Sequence, residues 1–216
     1  MSIIFFDVDH TIIRHSTARY FIKTAVKKGI LPRRVMLYLP YYYWKYRTGI
    51  FDESFFASTF YLIKGKKFEE IKACAETSVE KYIINDLYPA AVRIIKEEKQ
   101  KGNSVVLATS SIDLFVKPLA EYLEVDYIAT QFEFSEGIST GNFIGEPAFG
   151  QEKCKRAREY AEKRGFSLSE CSFYSDSIHD LPLLKEIGKP YVVRPDRQLA
   201  KIMKKMGWEL IHFEKG

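Results

Sequence analysis

Disulfide chemistry and secretion have little support in this sequence. The 216 residues include only three cysteines, Cys74, Cys154 and Cys171, which lie far apart and follow neither CxxC nor Cys/His spacing. A dispersed, odd set of this kind argues against a disulfide framework and fits a reducing compartment. The start of the chain, MSIIFFDVDH, becomes acidic after six residues and lacks the basic start and long apolar stretch of a signal peptide. We therefore expect a cytoplasmic protein.

The sequence also lacks an apolar run that is long enough to cross a bilayer. The most apolar later run, residues 35–44, contains Pro40 and four tyrosines. A transmembrane helix needs about 20 consecutive apolar residues, so this run is too short to span. Its composition remains compatible with a position on a membrane surface.

Acidic residues are absent from a long segment near the N-terminus. Residues 14–50 contain nine lysines and arginines and no Asp or Glu, although the net charge of the whole chain is only +5. Such a basic segment indicates an anionic partner: a phosphate-bearing substrate, lipid headgroups or nucleic acid. A solvated helix face is the alternative, and the sequence leaves both open.

The distribution of apolar residues divides the chain into three parts. Residues 3–6 form a short apolar run that predicts a buried strand, residues 14–85 have helical spacing, and strands alternate with helices after Pro89. The later strands are predicted at residues 105–108, 126–129, 172–175 and 191–193, with a hairpin at 132–144 and helices at 89–101, 152–163 and 181–187. This alternation predicts an α/β fold with a doubly wound parallel sheet.

The order of these parts predicts a helical insertion. Residues 1–13 and 86–216 are expected to form one core, and residues 14–85 are expected to be inserted after its first strand. The insertion would then lie at the carboxyl end of the sheet, where α/β folds place their sites.

Two aspartates, Asp7 and Asp9, follow the first predicted strand directly. Residues two apart in an extended chain point to the same side, so both carboxylates face one small space. If their surroundings separate their pKa values, one carboxylate can act as nucleophile or metal ligand while the other transfers a proton. The alternative is an Asp-rich turn in which Asp9 or Thr11 caps a helix.

A second acidic pair follows the strand predicted at residues 172–175. Asp176 and Asp180 are four residues apart and share one face if a helix begins there. Mg²⁺ takes a few oxygen ligands and keeps several waters, so Asp7 together with Asp176 would suffice to hold it. A capping role at the helix predicted for residues 181–187 is the alternative, and both roles are compatible.

Two further elements suit a phosphate group. Thr109, followed by Ser110 and Ser111, ends the strand predicted at residues 105–108. Hydroxyl and backbone N–H groups at such a turn match phosphate oxygens. Lys153 lies near the start of a predicted helix, where it can neutralise a phosphoryl group and hold the carboxylates together.

Taken in this order, these patterns resemble the haloacid dehalogenase superfamily, specifically its subfamily IB, the phosphoserine-phosphatase-like branch. The resemblance extends over the whole chain. One position departs from the family pattern, because the glycine of the family's GDSxxD motif is replaced by Ser175. The family's four motifs fall on Asp7, Asp9 and Thr11; on Thr109; on Lys153; and on Asp176 with Asp180.

This resemblance implies a magnesium-dependent phosphate monoester hydrolase with a helical cap. Asp7 would attack phosphorus and form a phospho-aspartate, while Asp9 would protonate the leaving oxygen and then activate water. Mg²⁺ would be held by Asp7, the backbone carbonyl of Asp9 and Asp176, with Asp180 supporting the cluster. Thr109, Ser110 and Lys153 would bind the phosphoryl oxygens.

The substrate is less well determined by the sequence. Phosphoserine phosphatases use a glutamate shortly after the first motif, where this chain has Ser16, and a cap arginine, whereas no arginine occurs from Thr48 through Val92. Phosphoserine is therefore disfavoured. A lipid-linked phosphate, as in phosphatidylglycerophosphatases of this subfamily, and a soluble metabolite such as histidinol phosphate both stay open.

The cap is expected to be longer than in compact phosphoserine phosphatases because of residues 31–49, which are basic and aromatic. We expect Tyr41, Tyr42, Tyr43 and Trp44 to pack in the core of the cap. Peripheral contact with an anionic membrane is the alternative.

Two other functional classes remain: a non-catalytic protein that binds a phosphate ligand, and a phosphatase acting on nucleic-acid ends. No RNA- or DNA-binding motif is present, so no nucleic-acid partner is expected.

Overall fold

The computed structural model of the chain describes residues 1–48 and 60–213. A six-stranded parallel sheet with the strand order β3-β2-β1-β6-β7-β8 organises the fold, and β4 and β5 form a separate antiparallel hairpin. The strands are β1 (Ile3–Phe6), β2 (Ser104–Ile112), β3 (Asp126–Thr130), β4 (Phe132–Ser135), β5 (Ile138–Phe143), β6 (Ser172–Ser175), β7 (Lys189–Val193) and β8 (Glu209–Ile211). The predicted doubly wound α/β fold is thus confirmed.

Strand β1 lies in the middle of the sheet because it is apolar on both faces. Ile3 and Phe5 belong to the core layer on one face, whereas Ile4 and Phe6 belong to the layer on the other. Side chains of a strand alternate between faces, so four consecutive apolar residues fit a strand covered on both sides. This central position brings the chain that follows β1 between the ends of β2 and β6.

The helices account for most of the remaining described chain. They are α1 (Thr17–Lys27), α2 (Leu39–Thr48), α3 (Phe68–Ser78), α4 (Pro89–Gln100), α5 (Asp113–Leu123), α6 (Gln151–Glu162), α7 (Leu181–Glu186) and α8 (Arg197–Met206). Helix α3 continues without a break through Val79–Ile83 and Ile84–Asp86, and short 3₁₀ turns occur at Arg33–Tyr38, Tyr61–Ile63, Leu168–Glu170 and Ile178–Asp180. The helices predicted at residues 89–101, 152–163 and 181–187 are confirmed within one residue at each end.

Helices α1 to α3 lie between β1 and β2 in the chain, and we refer to them as the insertion. Their own apolar core includes Phe21 and Ile71, and it continues onto Phe115 of α5 and Phe132 of the hairpin. The two chain segments that join the insertion to the sheet meet at an antiparallel bridge between Ile13 and Leu87. The insertion therefore packs directly over the carboxyl edge of the sheet.

The aromatic residues of α2 differ from the expectation that they fill the cap core. Tyr41, Tyr43 and Trp44 are each at least half exposed, so this expectation is wrong for these three residues. The physical reason is that Leu31 and Val35, which precede α2, are the buried members of this segment. The Tyr42 side chain and residues 49–59 lie outside the described part of the chain.

Two elements at the end of the chain were not predicted. Helix α8 and strand β8 extend the sheet beyond β7, and β8 pairs in parallel with it. Each helix in the described ranges is too short or too polar to cross a membrane.

Candidate active site

The carboxyl ends of β1, β2 and β6 meet at one edge of the sheet and form the base of a cavity. The backbone N–H of Asp7 donates to the carbonyl of Tyr174 at 2.9 Å, which fixes the chain where it leaves β1. The cavity has a volume of about 520 Å³. Its polar lining includes Asp7, Asp9, Thr109, Ser110, Lys153 and Asp180, so the structure brings six of the predicted site residues together.

A tight turn, Val8–Ile12, follows β1; Asp7 directly precedes this turn and Asp9 lies within it. His10 has a left-handed backbone conformation (φ 62°), and its N–H donates to the carbonyl of His15 at 3.3 Å. The turn directs the Thr11 hydroxyl back toward β1, where it donates to Oδ2 of Asp7 at 3.2 Å. Thr11 thus fixes the orientation of the Asp7 carboxylate rather than capping a helix.

Lys153 lies at the centre of the charge cluster. Its Nζ is 3.0 Å from Oδ1 of Asp7 and 2.6 Å from Oδ1 of Asp180, and only 2% of its side chain is exposed. Burial alone would lower the pKa of Lys153, but attraction by Asp180 and Asp7 outweighs burial and raises the pKa above its usual range. The lysine is therefore positively charged and immobilised beside Asp7.

The Asp7 carboxyl is in an environment that disfavours its charge. Burial raises its pKa to about 7; attraction by Lys153 opposes this rise, while repulsion by Asp180 and Asp9 adds to it. A carboxylate held in this way gains from any further cation placed next to it.

Asp9 is held by different partners from those of Asp7. The backbone N–H of Thr17 donates to Oδ1 of Asp9 at 2.9 Å, and the Thr17 hydroxyl donates to Oδ2 at 3.2 Å. The same hydroxyl is 2.7 Å from Oγ of Ser111, so the insertion and β2 both support this carboxyl. Burial raises the pKa of Asp9 to about 6 although the hydrogen bonds from Thr17 lower it. This value suits a group that gives up and accepts a proton near neutral pH.

Asp180 is fixed by Ser175, the residue that departs from the family motif. The Ser175 hydroxyl donates to Oδ2 of Asp180 at 2.6 Å and accepts from the N–H of Ser177 at 3.1 Å. The serine therefore preserves the loop and adds a hydrogen bond that glycine lacks.

No α-helix begins at Asp176, so the condition under which Asp176 and Asp180 would share one helix face is not met. The chain forms a short 3₁₀ turn at Ile178–Asp180, and α7 begins only at Leu181. The alternative, a side-chain cap on the helix predicted at residues 181–187, is wrong, because Asp180 at the N-cap position of α7 makes no capping hydrogen bond. Ser177 instead caps the preceding 3₁₀ turn, where its hydroxyl accepts from the N–H of His179 at 3.3 Å.

Asp176 is fully buried and reaches the site through Thr11, whose hydroxyl is 3.4 Å from Oδ1 of Asp176. The Asp176 carbonyl accepts from the N–H of Asp196 at 2.8 Å. Asp196 was missed at the sequence level. Its carboxylate caps α8 and accepts from the N–H of Ile178 at 2.6 Å, which ties α8 to this loop.

A divalent cation fits the charges of this cluster. Four buried or partly buried carboxylates converge here, those of Asp7, Asp9, Asp176 and Asp180, whereas Lys153 is the one buried lysine or arginine among the side chains that the structure describes. The described residues contain no group of three or more His, Cys, Asp or Glu side chains at metal-binding spacing. Mg²⁺ needs only one or two carboxylates because it keeps several waters, so oxygen ligands from Asp7 and Asp176 suit it.

The predicted phosphate-binding hydroxyls lie at the end of β2. Thr109 is buried, and its Oγ1 accepts from the N–H of Ser111 at 3.2 Å. The Ser110 carbonyl accepts from the Thr130 hydroxyl at 2.7 Å, and Ser110 lines the cavity.

The insertion forms the outer wall of the cavity. The Ser16 hydroxyl accepts from the N–H of Arg19 at 3.3 Å and caps α1, and Ser16 also lines the cavity. Arg19 lines the cavity and was not predicted, since the sequence shows only its position in a basic helix. Most of the wall is apolar: the insertion contributes Ile22, Met36, Leu39 and Pro40, and Phe115 of α5 and Phe149 before α6 complete it.

A family model described as haloacid dehalogenase-like hydrolase matches residues 4–185. The chain is 31% identical to the "Inhibition of morphological differentiation protein" of Streptomyces azureus over 98% of this chain and 78% of that protein. It is 28% identical to a histidinol-phosphatase of Neisseria meningitidis, with 97% of each chain covered. A solved phosphoserine phosphatase, in the form of a phospho-aspartyl intermediate analogue, shares the fold with a TM-score of 0.75 at 21% identity, covering 99% of this chain and 93% of that one.

Proposed function

The chain belongs to the haloacid dehalogenase-like hydrolase family and is a phosphatase, and from this premise we propose that it hydrolyses phosphate monoesters through a covalent phospho-aspartate on Asp7. The observation that carries this proposal is the contact of 3.0 Å between Lys153 Nζ and Oδ1 of the buried Asp7. In this proposal residues 1–13 and 86–216 form the catalytic core and residues 14–85 form the cap.

The first step is attack by Asp7 on phosphorus. The bond between a carboxylate oxygen and phosphorus forms as the bond to the ester oxygen breaks. Lys153 and Thr11 hold the carboxylate in one orientation, which removes much of the entropic cost of the attack. Lys153, Thr109 and Ser110 bind the phosphoryl oxygens and stabilise the charge that spreads over them.

Asp9 then performs the proton transfers. In the first step its protonated carboxyl donates a proton to the leaving alcohol oxygen. In the second step the resulting carboxylate takes a proton from the water that attacks phosphorus, which releases phosphate and regenerates Asp7. The contacts from Thr17 keep this carboxyl oriented at the cavity throughout.

Asp7, the backbone carbonyl of Asp9 and Asp176 are proposed to hold Mg²⁺, and Asp180 to support the cluster through Lys153. When bound, Mg²⁺ supplies positive charge that binds the phosphoryl group and balances the excess of carboxylates.

We propose that the substrate is a small or lipid-linked phosphate monoester whose alcohol portion is largely apolar. The outer wall of the cavity is apolar, and the acidic residues lining it in the described ranges, Asp7, Asp9 and Asp180, all belong to the catalytic cluster. No carboxylate in that part of the chain is then left to bind a substrate amino group. Phosphoserine is disfavoured, because Ser16 stands where phosphoserine phosphatases use a glutamate and no arginine occurs from Thr48 through Val92. The three cysteines are buried and unpaired, which supports the proposed cytoplasmic location.

A turnover screen with Mg²⁺ tests this function. We expect hydrolysis of p-nitrophenyl phosphate and faster hydrolysis of phosphate esters of apolar alcohols than of phosphoserine. Asp7→Asn should abolish turnover, because an amide is neither a nucleophile nor an adequate ligand for Mg²⁺. The control is Asp126→Asn, an exposed aspartate at the start of β3, which should turn over like the wild type.

Three outcomes would overturn the proposal. Retention of more than about a tenth of the wild-type kcat in Asp7→Asn, a loss of only about 1.4 kcal/mol, would contradict the covalent mechanism. Binding of phosphate esters without turnover at any pH would instead indicate a non-catalytic ligand-binding protein. A strong preference for phosphorylated oligonucleotide ends would indicate a phosphatase of nucleic-acid ends.

A further inference from the structure

An exposed group of large apolar and aromatic side chains lies on the insertion. We call it the aromatic patch and define it as Leu37, Tyr38, Tyr41, Tyr43 and Trp44, on the turn Arg33–Tyr38 and helix α2. Leu37 is 79% exposed and Trp44 is 55% exposed. Single apolar residues on a surface are ordinary, but these five lie close together in the chain, and the rings of Tyr41 and Trp44 stack with their centroids 6.4 Å apart. Such a group marks an interaction site.

The aromatic patch lies in a strongly basic part of the chain. Arg33 and Arg34 directly precede it in the same turn, and both are exposed. Residues 14–50 contain nine lysines and arginines and no acidic residue. The partner of this surface must therefore accept apolar and aromatic side chains and carry negative charge.

The aromatic patch also borders the catalytic cavity. Met36, Leu39 and Pro40 alternate in sequence with residues of the patch and line the cavity, and Tyr43 belongs to both surfaces. A partner seated on the patch would thus lie beside the entrance to the cavity.

We propose that the aromatic patch docks the enzyme on the surface of an anionic lipid membrane. Tyrosine and tryptophan are enriched where membrane and water meet, and basic side chains are attracted by anionic headgroups. A second copy of the chain would bring two basic surfaces together and is disfavoured by repulsion. A nucleic acid would match the charge and stack on the rings but gives no role to Leu37, the most exposed member.

Docking in this way would place the cavity entrance against the bilayer. A lipid-linked phosphate monoester could then reach Asp7 while its apolar portion passes along Met36, Leu39 and Pro40. This second point rests on the proposed function, whereas the docking itself does not.

Vesicle sedimentation with the full chain tests the docking. The vesicles contain phosphatidylglycerol and phosphatidylcholine in equal parts, and pure phosphatidylcholine vesicles are the control. We expect the wild type to sediment with the anionic vesicles only, at about 0.15 M salt, where surface charges are screened beyond about 8 Å. Each basic residue held at such a surface contributes about fivefold to binding.

Two variants and a matched control identify the surface. Arg33→Gln combined with Arg34→Gln should weaken binding about 30-fold. Leu37→Gln combined with Trp44→Gln should also weaken it, because the apolar anchors are lost while the charge is kept. The control is Lys204→Gln with Lys205→Gln, an adjacent basic pair in the last turn of α8, which should bind like the wild type.

The vesicle assay tests the docking, and the turnover assay tests the catalysis, so either can fail without the other. All of these variants should hydrolyse p-nitrophenyl phosphate at the wild-type rate, because none of them changes the catalytic cluster. Failure of the wild type to sediment with anionic vesicles would overturn the docking and leave the proposed reaction unaffected. Equal losses in the α8 pair, unchanged binding of the Leu37 and Trp44 variant, or tighter binding to an oligonucleotide than to vesicles would also overturn it.

Discussion

Replacing Lys153 with methionine is a direct test of the charge cluster at the end of β1. Methionine keeps most of the side-chain volume but removes the positive charge between Asp7 and Asp180. The lysine and both carboxylates are almost completely buried, with side chains 2–6% exposed. Water therefore screens the interaction between these charges very little, and the loss of the lysine charge acts directly on both carboxylates.

The structure sets the size of the expected effect. Removing one partner of a buried ion pair leaves the other charge uncompensated and costs about 3–5 kcal/mol of the free energy of unfolding. Asp180 and the ionised fraction of Asp7 both pair with this lysine, so we expect a loss within that range at neutral pH. The control is Lys155→Met on the same helix, where the side chain is 60% exposed and the expected change is within about 0.5 kcal/mol.

The pH dependence has a definite sign. Lys153 lowers the pKa of Asp7, so without it that pKa rises further above its present value of about 7. In the unfolded chain an aspartate has a pKa near 3.9, so above about pH 5 the unfolded state holds no proton on Asp7. Where the folded state still holds that proton, the free energy of unfolding falls as the pH rises. Below pH 7 Asp7 holds its proton in both proteins; above pH 7 only the variant keeps it. The deficit of the variant should therefore grow above pH 7, by at most about 1.4 kcal/mol per pH unit.

Urea unfolding of the metal-free proteins, followed by circular dichroism between pH 6 and pH 9, measures this deficit. We expect a large loss for Lys153→Met that increases above pH 7 and no comparable loss for Lys155→Met. A loss below about 1 kcal/mol, or a loss that does not change with pH, would refute the description of Lys153 as the charge that stabilises Asp7.

Two other predictions concern the site, and a third concerns a buried contact at the base of the insertion. Asp9→Asn should slow alkyl phosphates far more than p-nitrophenyl phosphate, since a good leaving group needs no proton; equal losses in steady-state kcat would contradict the acid/base role. The affinity for Mg²⁺, measured by calorimetry, should weaken about tenfold per pH unit below pH 7, because protons compete for Asp7, whose pKa burial raises to about 7. Asp86→Asn should lower the free energy of unfolding by about 1–3 kcal/mol, because this buried carboxylate accepts from the N–H of His15 at 2.8 Å and contacts its ring at 3.1 Å. The exposed Glu80→Gln, in the same helical segment, should leave unfolding by urea unchanged.

The sheet and most of its helices could be predicted because their signals are local. Strand β6 and the start of α4 at Pro89 follow from apolar runs and from the preference of proline for the first turn of a helix. Helix α8 and strand β8 were missed. Strand β8 has three residues, none of them fully buried, so it carries no apolar run, although Asp196 before α8 is an ordinary N-cap residue.

The side-chain partners in the site were harder to predict than the site residues themselves. The pattern of Asp7, Asp9 and Asp176 could be read from spacing, but the supports supplied by Thr17 and Asp196 depend on contacts between distant elements. For the aromatic residues of α2, burial could not be predicted from the sequence. Their composition fits both a core and an interface, and only the packing of the insertion decides which side chains remain exposed.

Direct detection of the phospho-aspartate tests the central claim most closely. The enzyme is mixed with substrate and Mg²⁺, quenched during turnover and treated with borohydride, which reduces an aspartyl phosphate to homoserine. Mass spectrometry of the peptide that contains residues 3–13 then locates the reduced residue. We predict homoserine at Asp7, more of it in Asp9→Asn, where hydrolysis of the intermediate is slowed, and none without substrate. Reduction at another residue, or turnover with no reducible intermediate at any quench time in either protein, would contradict covalent catalysis by Asp7.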